Sequence, residues 1–447
     1  MKRSYHQGSR LVRIDNSCIL GYVCGKRTLN DNIASPATSN KQVIILIADI
    51  DREMEKKKVE SILVFGDATV GNPDLRYVVG ASLARGGIYV KRKSKDPTLI
   101  VSNIDVGSAR LGRVRNIRTY SDYGFERLSG RYDRDEARAR FYEKIIRGSG
   151  ATGPIVLAGR NETSNSVLLI DSLRKKGIKV VGEKTPTILE VARETKEQGE
   201  IEKLREMGRK TGRVVERTIR FLSKAKVRGS KVVFKSKPLT VQAVKRVING
   251  LLAEEGIIAP EDTIFAAGRK SSDPHYDGKG TDLVRAGEPI VFDIFPAEPD
   301  GYWHDCTRTY AFSSPKKQVK EMYDAVLEAQ TSALDMVREQ ASCSEMMIQV
   351  CKLFEKKGYP TARLLAKGNK EARVRGFMHG LGHGVGLTIG ERPYLSLYGK
   401  ERLRKNSVVT IEPGLYDPRF GGVRIEDMVV VGSPSENLTH LPKDLQI

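Results

Sequence analysis

Histidine, tryptophan and cysteine are all scarce in this chain. Six histidines and one tryptophan stand among 447 residues, and aromatic residues make up 6%. Five cysteines, Cys18, Cys24, Cys306, Cys343 and Cys351, show no CxxC spacing and are odd in number, which argues against both a zinc ribbon and a disulfide framework. Ordinary reduced thiols are expected. No apolar run approaches the ~20 residues needed to cross a bilayer, and "VIILIADI" (43–50) is only strand-sized. The basic opening "MKRSYHQGSRLVRIDNS" has no apolar segment behind it, so secretion is not signalled. A cytoplasmic protein with no membrane partner is expected. Negative charge is in deficit, 55 Asp and Glu against 76 Lys and Arg, for a net +21. Such a balance favours acidic partners such as RNA at low salt. The basic residues are spread along the chain without long tracts, however, and few aromatics accompany them. A charged, solvated surface is the better reading, and nucleic acid is not expected as a partner.

What is present reads as two or three domains, at ~100–200 residues each. Residues 1–53 lack sustained periodicity and carry the turn-rich "TLNDNIASPATSN", and so read as an N-terminal extension. From "SILVFGD" (61–67) onward, short apolar runs alternate with helix-like segments such as "DRDEARARFYEKIIRG" and "NSVLLIDSLRKKG". This alternation predicts an α/β domain with a largely parallel sheet over 54–190. No phosphate loop accompanies it. Near 190 the pattern changes to long helix, with Ile201, Leu204, Met207, Val214, Val215, Ile219 and Leu222 forming an apolar face. The chemistry lies in this second part, 191–447.

Two candidate hairpins there carry acids. In "EPIVFDIFPAEPDGYWHDCTRTYAFS" (288–313), Asp293 and Asp305 are equidistant from residue 299, within the turn signal Pro299-Asp300-Gly301. A hairpin folded at that point sets the two acids opposite each other or nearly so. In "SVVTIEPGLYDPRFGGVRIEDMVVV" (407–431), Glu412 and Glu426 are equidistant from residue 419. For one hairpin alone, pairing with Arg308 or Arg424, or exposure to solvent, is an equal reading. Two such hairpins together imply four converging carboxylates, which repel unless divalent cations neutralise them.

The nitrogen ligand is offered by "RGFMHGLGHGVGLTIGERPYL" (375–395), where His379 and His383 stand four apart. That is the spacing of a zinc-binding helix, but Gly380, Leu381 and Gly382 lie between, with no glutamate and too much glycine for helix. A strand or extended loop is predicted, with one histidine as ligand and the other as substrate contact. Four carboxylates and one imidazole favour Mn, Co or Fe, with Zn compatible. A metal pair roughly 3.5–4 Å apart would lower the pKa of a bridging water for attack on a carbonyl.

At this point the ordered set Asp293, Asp305, His383, Glu412 and Glu426, within "VFDIF", "HDCTRT", "HGLGHGVGL", "TIEPGLY" and "VRIEDMVVV", resembles the pita-bread metallopeptidases of the M24 type. Residues 54–190 resemble the creatinase-type N-terminal domain of Xaa-Pro aminopeptidases and prolidases. The resemblance implies an α/β domain followed by an α+β pita-bread catalytic domain. It further implies two divalent metals, Mn or Co foremost, hydrolysis at the Xaa-Pro bond of proline-containing peptides, and a homodimer. By the same resemblance His275 and His379 contact substrate, Arg424 lies near the site, and Glu412 also accepts the proton of the attacking water. A non-peptidase hydrolase or lyase on the same scaffold, or a binding relative that has lost catalysis, are the alternatives. The intact five-residue set argues against the last. Two departures stand out: Asp293 and Asp305 are one residue further apart than the family's usual spacing, and Gly390 stands where the family places a further histidine. Either Arg392 or a neighbouring histidine is expected to take that role, or the natural substrate is an unusual one.

Overall fold

The computed structural model describes residues 49–447. Residues 1–48, with Cys18, Cys24 and most of the expected extension, lie outside the described residues. Residues 49–57 are helical, so the division expected at 53/54 falls inside one helix. The reason is burial: Ile50 and Met54, one turn apart, are both fully buried in the core beneath the first sheet. Cys306, Cys343 and Cys351 are free and buried, as befits reduced thiols.

The first sheet has six strands, β1 (Ser61–Gly66), β2 (Gly87–Arg92), β3 (Thr98–Val101), β4 (Asn116–Thr119), β5 (Ile155–Ala158) and β6 (Val180–Val181), in the order β4-β3-β2-β1-β5-β6. It is mixed rather than largely parallel. β1 pairs in parallel with β5, β5 with β6 and β3 with β4, whereas β1–β2 and β2–β3 are antiparallel. The link from β2 to β3, residues 93–97, is too short for the crossover that parallel neighbours need. Helices Arg134–Gly148 and Thr163–Lys175 cover one face with Phe141, Ile145, Leu169 and Leu173.

Two helices lead into the second part. Ile188–Glu194 starts at a capping box, in which Thr187 accepts from the Glu190 amide and Glu190 accepts from that of Thr187. The division expected at 190/191 therefore lies within this helix, which the phenol of Tyr77 also ties to the first part by donating to Ala192 O at 2.9 Å. Gln198–Leu222 follows, with Ile201, Leu204, Met207, Val214, Val215 and Leu222 buried on one face as the spacing predicts, while Ile219 is partly buried.

Beyond them lie antiparallel sheets flanked by helices, an α+β arrangement. A meander of β7 (Lys226–Arg228), β8 (Lys231–Phe234) and β9 (Lys237–Pro238) precedes the sheet β10 (Ile264–Ala267), β11 (Pro289–Ile294) and β12 (Cys306–Ala311). A five-stranded sheet runs β14 (Ile389–Leu395), β13 (Gly382–Val385), β15 (Val408–Ile411), β18 (Asp427–Val430), β19 (Glu436–Asn437), and β16 (Gly414–Asp417) pairs with β17 (Gly421–Arg424). Helices Lys317–Asp335 and Cys343–Lys356 close a second core over these strands.

Both candidate hairpins are present, with different registers. β11 and β12 pair Asp293 with Thr307, so the turn centres on residue 300 instead of 299. Asp305 therefore lies two residues along from Asp293's partner, on the same face. Asp300, at φ +54°, makes the turn, and Thr69 and Arg76 from the first part hold it: Thr69 Oγ1 donates to Asp300 Oδ2 at 2.6 Å and Arg76 Nε to Asp300 O at 2.8 Å. The second hairpin is centred on 419 as expected, with Val408 opposite Val430 and Gly414 opposite Arg424. Its ladder opens at the acids themselves. Glu412 N donates to Leu381 O at 2.9 Å and Glu426 N to Thr307 O at 3.0 Å, and Pro413 has no N–H to offer. The two glutamates thus stand at a junction of three strand pairs.

A candidate metal centre

Asp293, Asp305, Glu412 and Glu426 meet His383 at one wall of a cavity of about 400 Å³, which His275, His379 and Arg424 also line. All eight predicted site residues are brought together. Asp305, His383 and Glu426 have ligand atoms within 4.8 Å of one another. His383 Nε2 is 3.6 Å from both Asp305 Oδ2 and Glu412 Oε1. β13 is a strand, as the glycines imply. At Gly382 a Cβ would come within 1.9 Å of Thr410 O, so only glycine lets β13 and β15 approach this closely.

The electrostatics of the cluster fit divalent cations. Asp305 and Glu426 are nearly inaccessible, and burial, followed by each one's facing carboxylates, pushes both carboxyls well above their ordinary range. Burial also raises Asp293, although Arg424 opposes it through an ion pair at 2.5 Å to Oδ2. The other oxygen, Asp293 Oδ1, is buried and has no hydrogen-bond partner. A cluster of buried acids with an orphaned carboxylate oxygen fits divalent metal, because a metal supplies the charge and the coordination that the protein withholds.

The two histidines differ in what they leave free. His383 Nδ1 lies 3.1 Å from Gly384 O, and a carbonyl can only accept, so this nitrogen carries the proton. Its Nε2 lone pair is left facing the acids, the orientation a metal ligand requires. His379 Nδ1 likewise donates to Gly380 O at 2.8 Å, but its Nε2 accepts from Tyr416 Oη at 2.9 Å. Burial lowers the pKa of His379, which keeps it neutral. Both of its nitrogens are engaged, so it meets the cavity as a fixed ring edge.

Arg424 connects the two sides. Its guanidinium donates to Asp293, to Tyr416 Oη at 2.7 Å and to Thr307 Oγ1 at 3.1 Å, and Thr307 Oγ1 donates onward to Glu426 Oε2 at 2.8 Å. Tyr416 and Thr307 were not expected at the site. Both could have been found by the period of two along a strand, since Tyr416 follows Glu412 by four residues and Thr307 follows Asp305 by two. Tyr394 was also missed. It lies across from His383 in the β13–β14 pair, lines the cavity, and donates from Oη to Gly390 O at 2.7 Å.

Gly390 lines the cavity at φ +72°, with no atom within 4 Å of the position a Cβ would take. Arg392 does not substitute there, contrary to expectation. It points away from the cavity to an ion pair with Glu401 and lies 3.6 Å from Glu194. Its two carboxylate partners hold it there, while Ile389, Gly390, Tyr394 and Leu395 of the same strand line the cavity.

The family model described as metallopeptidase family M24 matches residues 202–433. Over 395 residues the chain is 28% identical to an Xaa-Pro dipeptidase of Pyrococcus horikoshii, covering 88% of this chain and 96% of that protein. It is 36% identical over 186 residues to the Xaa-Pro dipeptidase of Pyrococcus furiosus, a match spanning 41% of this chain and about half, 49%, of that relative. Among solved structures, the prolidase from Pyrococcus horikoshii OT3 superposes with a TM-score of 0.68 at 24% identity, over 90% of this chain and 99% of that one. An Xaa-Pro dipeptidase from Bacillus anthracis gives 0.71 at 22% identity, over 91% and 100%. The architecture is the expected one, an α/β domain followed by an α+β pita-bread domain.

Proposed function

Because the chain belongs to metallopeptidase family M24, we propose that it hydrolyses the Xaa-Pro bond, in dipeptides first, at a centre of two divalent metal ions, Mn or Co foremost. The single observation that supports this reading is that five donor side chains line one cavity, three of them, Asp305, His383 and Glu426, with ligand atoms within 4.8 Å of one another. Asp293, Asp305, His383, Glu412 and Glu426 are the residues that would hold the ions. Bound there, a divalent metal acts as a Lewis acid and makes water nucleophilic near neutral pH. About 400 Å³ lies within the range of small-ligand sites.

The chain's own groups have distinct tasks. Glu412 is the least buried of the four acids, with a side chain 18% exposed, and so is placed to accept the water's proton and return it to the departing proline nitrogen. Arg424 fixes Asp293 and Tyr416, and Tyr416 in turn fixes the His379 ring against the cavity. His275, exposed at the cavity's edge, contacts substrate. The reading extends to a homodimer in the cytoplasm.

The test is metal content together with metal-dependent release of the first residue from Xaa-Pro dipeptides and from longer peptides that begin Xaa-Pro. Two equivalents of metal with turnover on dipeptides is the expected result. A metal-loaded protein inert on every Xaa-Pro substrate would remove the peptidase reading and favour a different hydrolase or lyase. Sedimentation at micromolar concentration checks the dimer.

A further inference from the structure

A second cavity, of about 230 Å³, lies in the first part of the chain and shares no residue with the metal centre. Helix Phe125–Ser129, the turn after it and helix Arg134–Gly148 form its walls. Four cations line it, Arg127, Arg131, Arg140 and Lys144, against one acid, Glu143. That acid is already matched outside the cavity by Arg147 at 3.0 Å and Lys176 at 3.9 Å. Arg140 pairs with Glu136 at 2.6 Å and stacks on Tyr132, 4.4 Å from its centroid. Among the described residues, no carboxylate pairs with Arg127, Arg131 or Lys144.

Two of these unmatched cations converge. Gly124, at φ +70°, has Arg127 Nη2 and Lys144 Nζ each 3.5 Å from the point where a Cβ would stand. The two charges are therefore no more than 7.0 Å apart, around a position free of side chain. Like charges drawn this close around a concave space favour an anion, and guanidinium forks match phosphate oxygens in particular. We propose that this cavity binds the phosphate group of a small phosphorylated molecule, held between Arg127 and Lys144, with Arg131 closing over it. The volume lies below the usual ~300–1,000 Å³ of larger ligand sites, which suits a compact phosphate-bearing molecule. The Arg140–Tyr132 stack forms a rigid floor.

Calorimetric titration of the metal-loaded protein with pyrophosphate and with AMP tests this. The Asp305→Asn protein is titrated alongside, to remove any contribution from the metal centre. Binding is expected in both proteins, weaker at 200 mM than at 50 mM salt, and at least tenfold weaker in Arg127→Gln/Lys144→Gln. That double variant should keep its melting temperature and its peptidase rate. AMP binding more tightly than pyrophosphate would identify a nucleotide, and equal affinities the phosphate group alone. Absence of binding by either anion overturns the proposal. So does binding that the double variant leaves unchanged, or binding that disappears in Asp305→Asn.

Discussion

Glu426 and Asp427 are neighbours at the start of β18, both buried, and their carboxyl groups shift in opposite directions. Asp427 faces away from the cavity, where Arg308 Nη2 donates to it at 2.8 Å, Lys443 Nζ at 2.7 Å, Asn437 Nδ2 at 2.9 Å and Gln330 Nε2 at 3.0 Å. Burial alone would raise its carboxyl, and Arg308 and Lys443 overcome that and hold it below the ordinary value. Glu426, one residue earlier, is driven well above it by burial first and then by Asp305, Glu412 and Asp293, which it faces. The strand alternation that separates the two faces also separates two kinds of burial. Asp427 finds its countercharges within the protein, whereas the other face gathers four acids around one arginine and leaves an excess of negative charge.

The sharpest way to break this contrast is to remove an acid from each face. Asp305→Asn is expected to lower peptidase activity by about 10³-fold or more, a barrier change of about 4 kcal/mol. It should nonetheless stabilise the metal-free protein by about 0.5–2 kcal/mol, read as a higher melting temperature, because it relieves repulsion at a functional site. If the metal-free variant is less stable than the parent, the acids are not frustrated. Arg308→Met should do the reverse, destabilising the fold by about 3–5 kcal/mol as Asp427 loses its buried partner, with metal affinity per folded molecule preserved. Denaturant unfolding with and without metal separates the two outcomes.

Weaker effects refine the comparison. Tyr416→Phe, which frees His379 and one donor of Arg424, is expected to lower kcat about 10–100-fold with the metal content unchanged. Loss of metal instead would make Tyr416 part of the centre's support and not of its substrate side. Gly390→His should cost about 1–2 kcal/mol from the left-handed backbone alone, read as a lower melting temperature. A variant as stable as the parent would show that the loop readjusts.

The smallest effect is in acid. Asp427 has a folded pKa below its unfolded one, so its contribution is complete above the unfolded value of about 4 and is lost as pH falls through the folded value. The stability difference between the parent and Asp427→Asn should therefore shrink below pH 4. A difference that persists at pH 2 would mean that shape, not charge, sets the cost of the change.

Much of the catalytic half was legible because strands repeat every two residues and hairpins are symmetric. The centre at 419 could be counted directly, and with it the facing of Glu412 and Glu426. The other hairpin was misplaced by one residue, because Asp300 adopts a left-handed φ of +54°, which composition alone does not announce. The sheet's antiparallel centre was hidden by apolar runs that read the same in either direction. Arg392 was assigned to the cavity by nearness in sequence, whereas the acids that hold it, Glu194 and Glu401, are distant partners that no local pattern announces. Tyr394 was invisible for a converse reason: its place depends on pairing across to His383, where a bulge interrupts the count.

The fastening of the Asp300 turn by Thr69 and Arg76 bears on any attempt to divide the chain. A fragment beginning near residue 191 would carry all five candidate ligands and still leave the loop joining Asp293 to Asp305 without its outside anchor. The first part therefore serves the second as a jig, setting the spacing of two acids from a distance while contributing none of the chemistry itself.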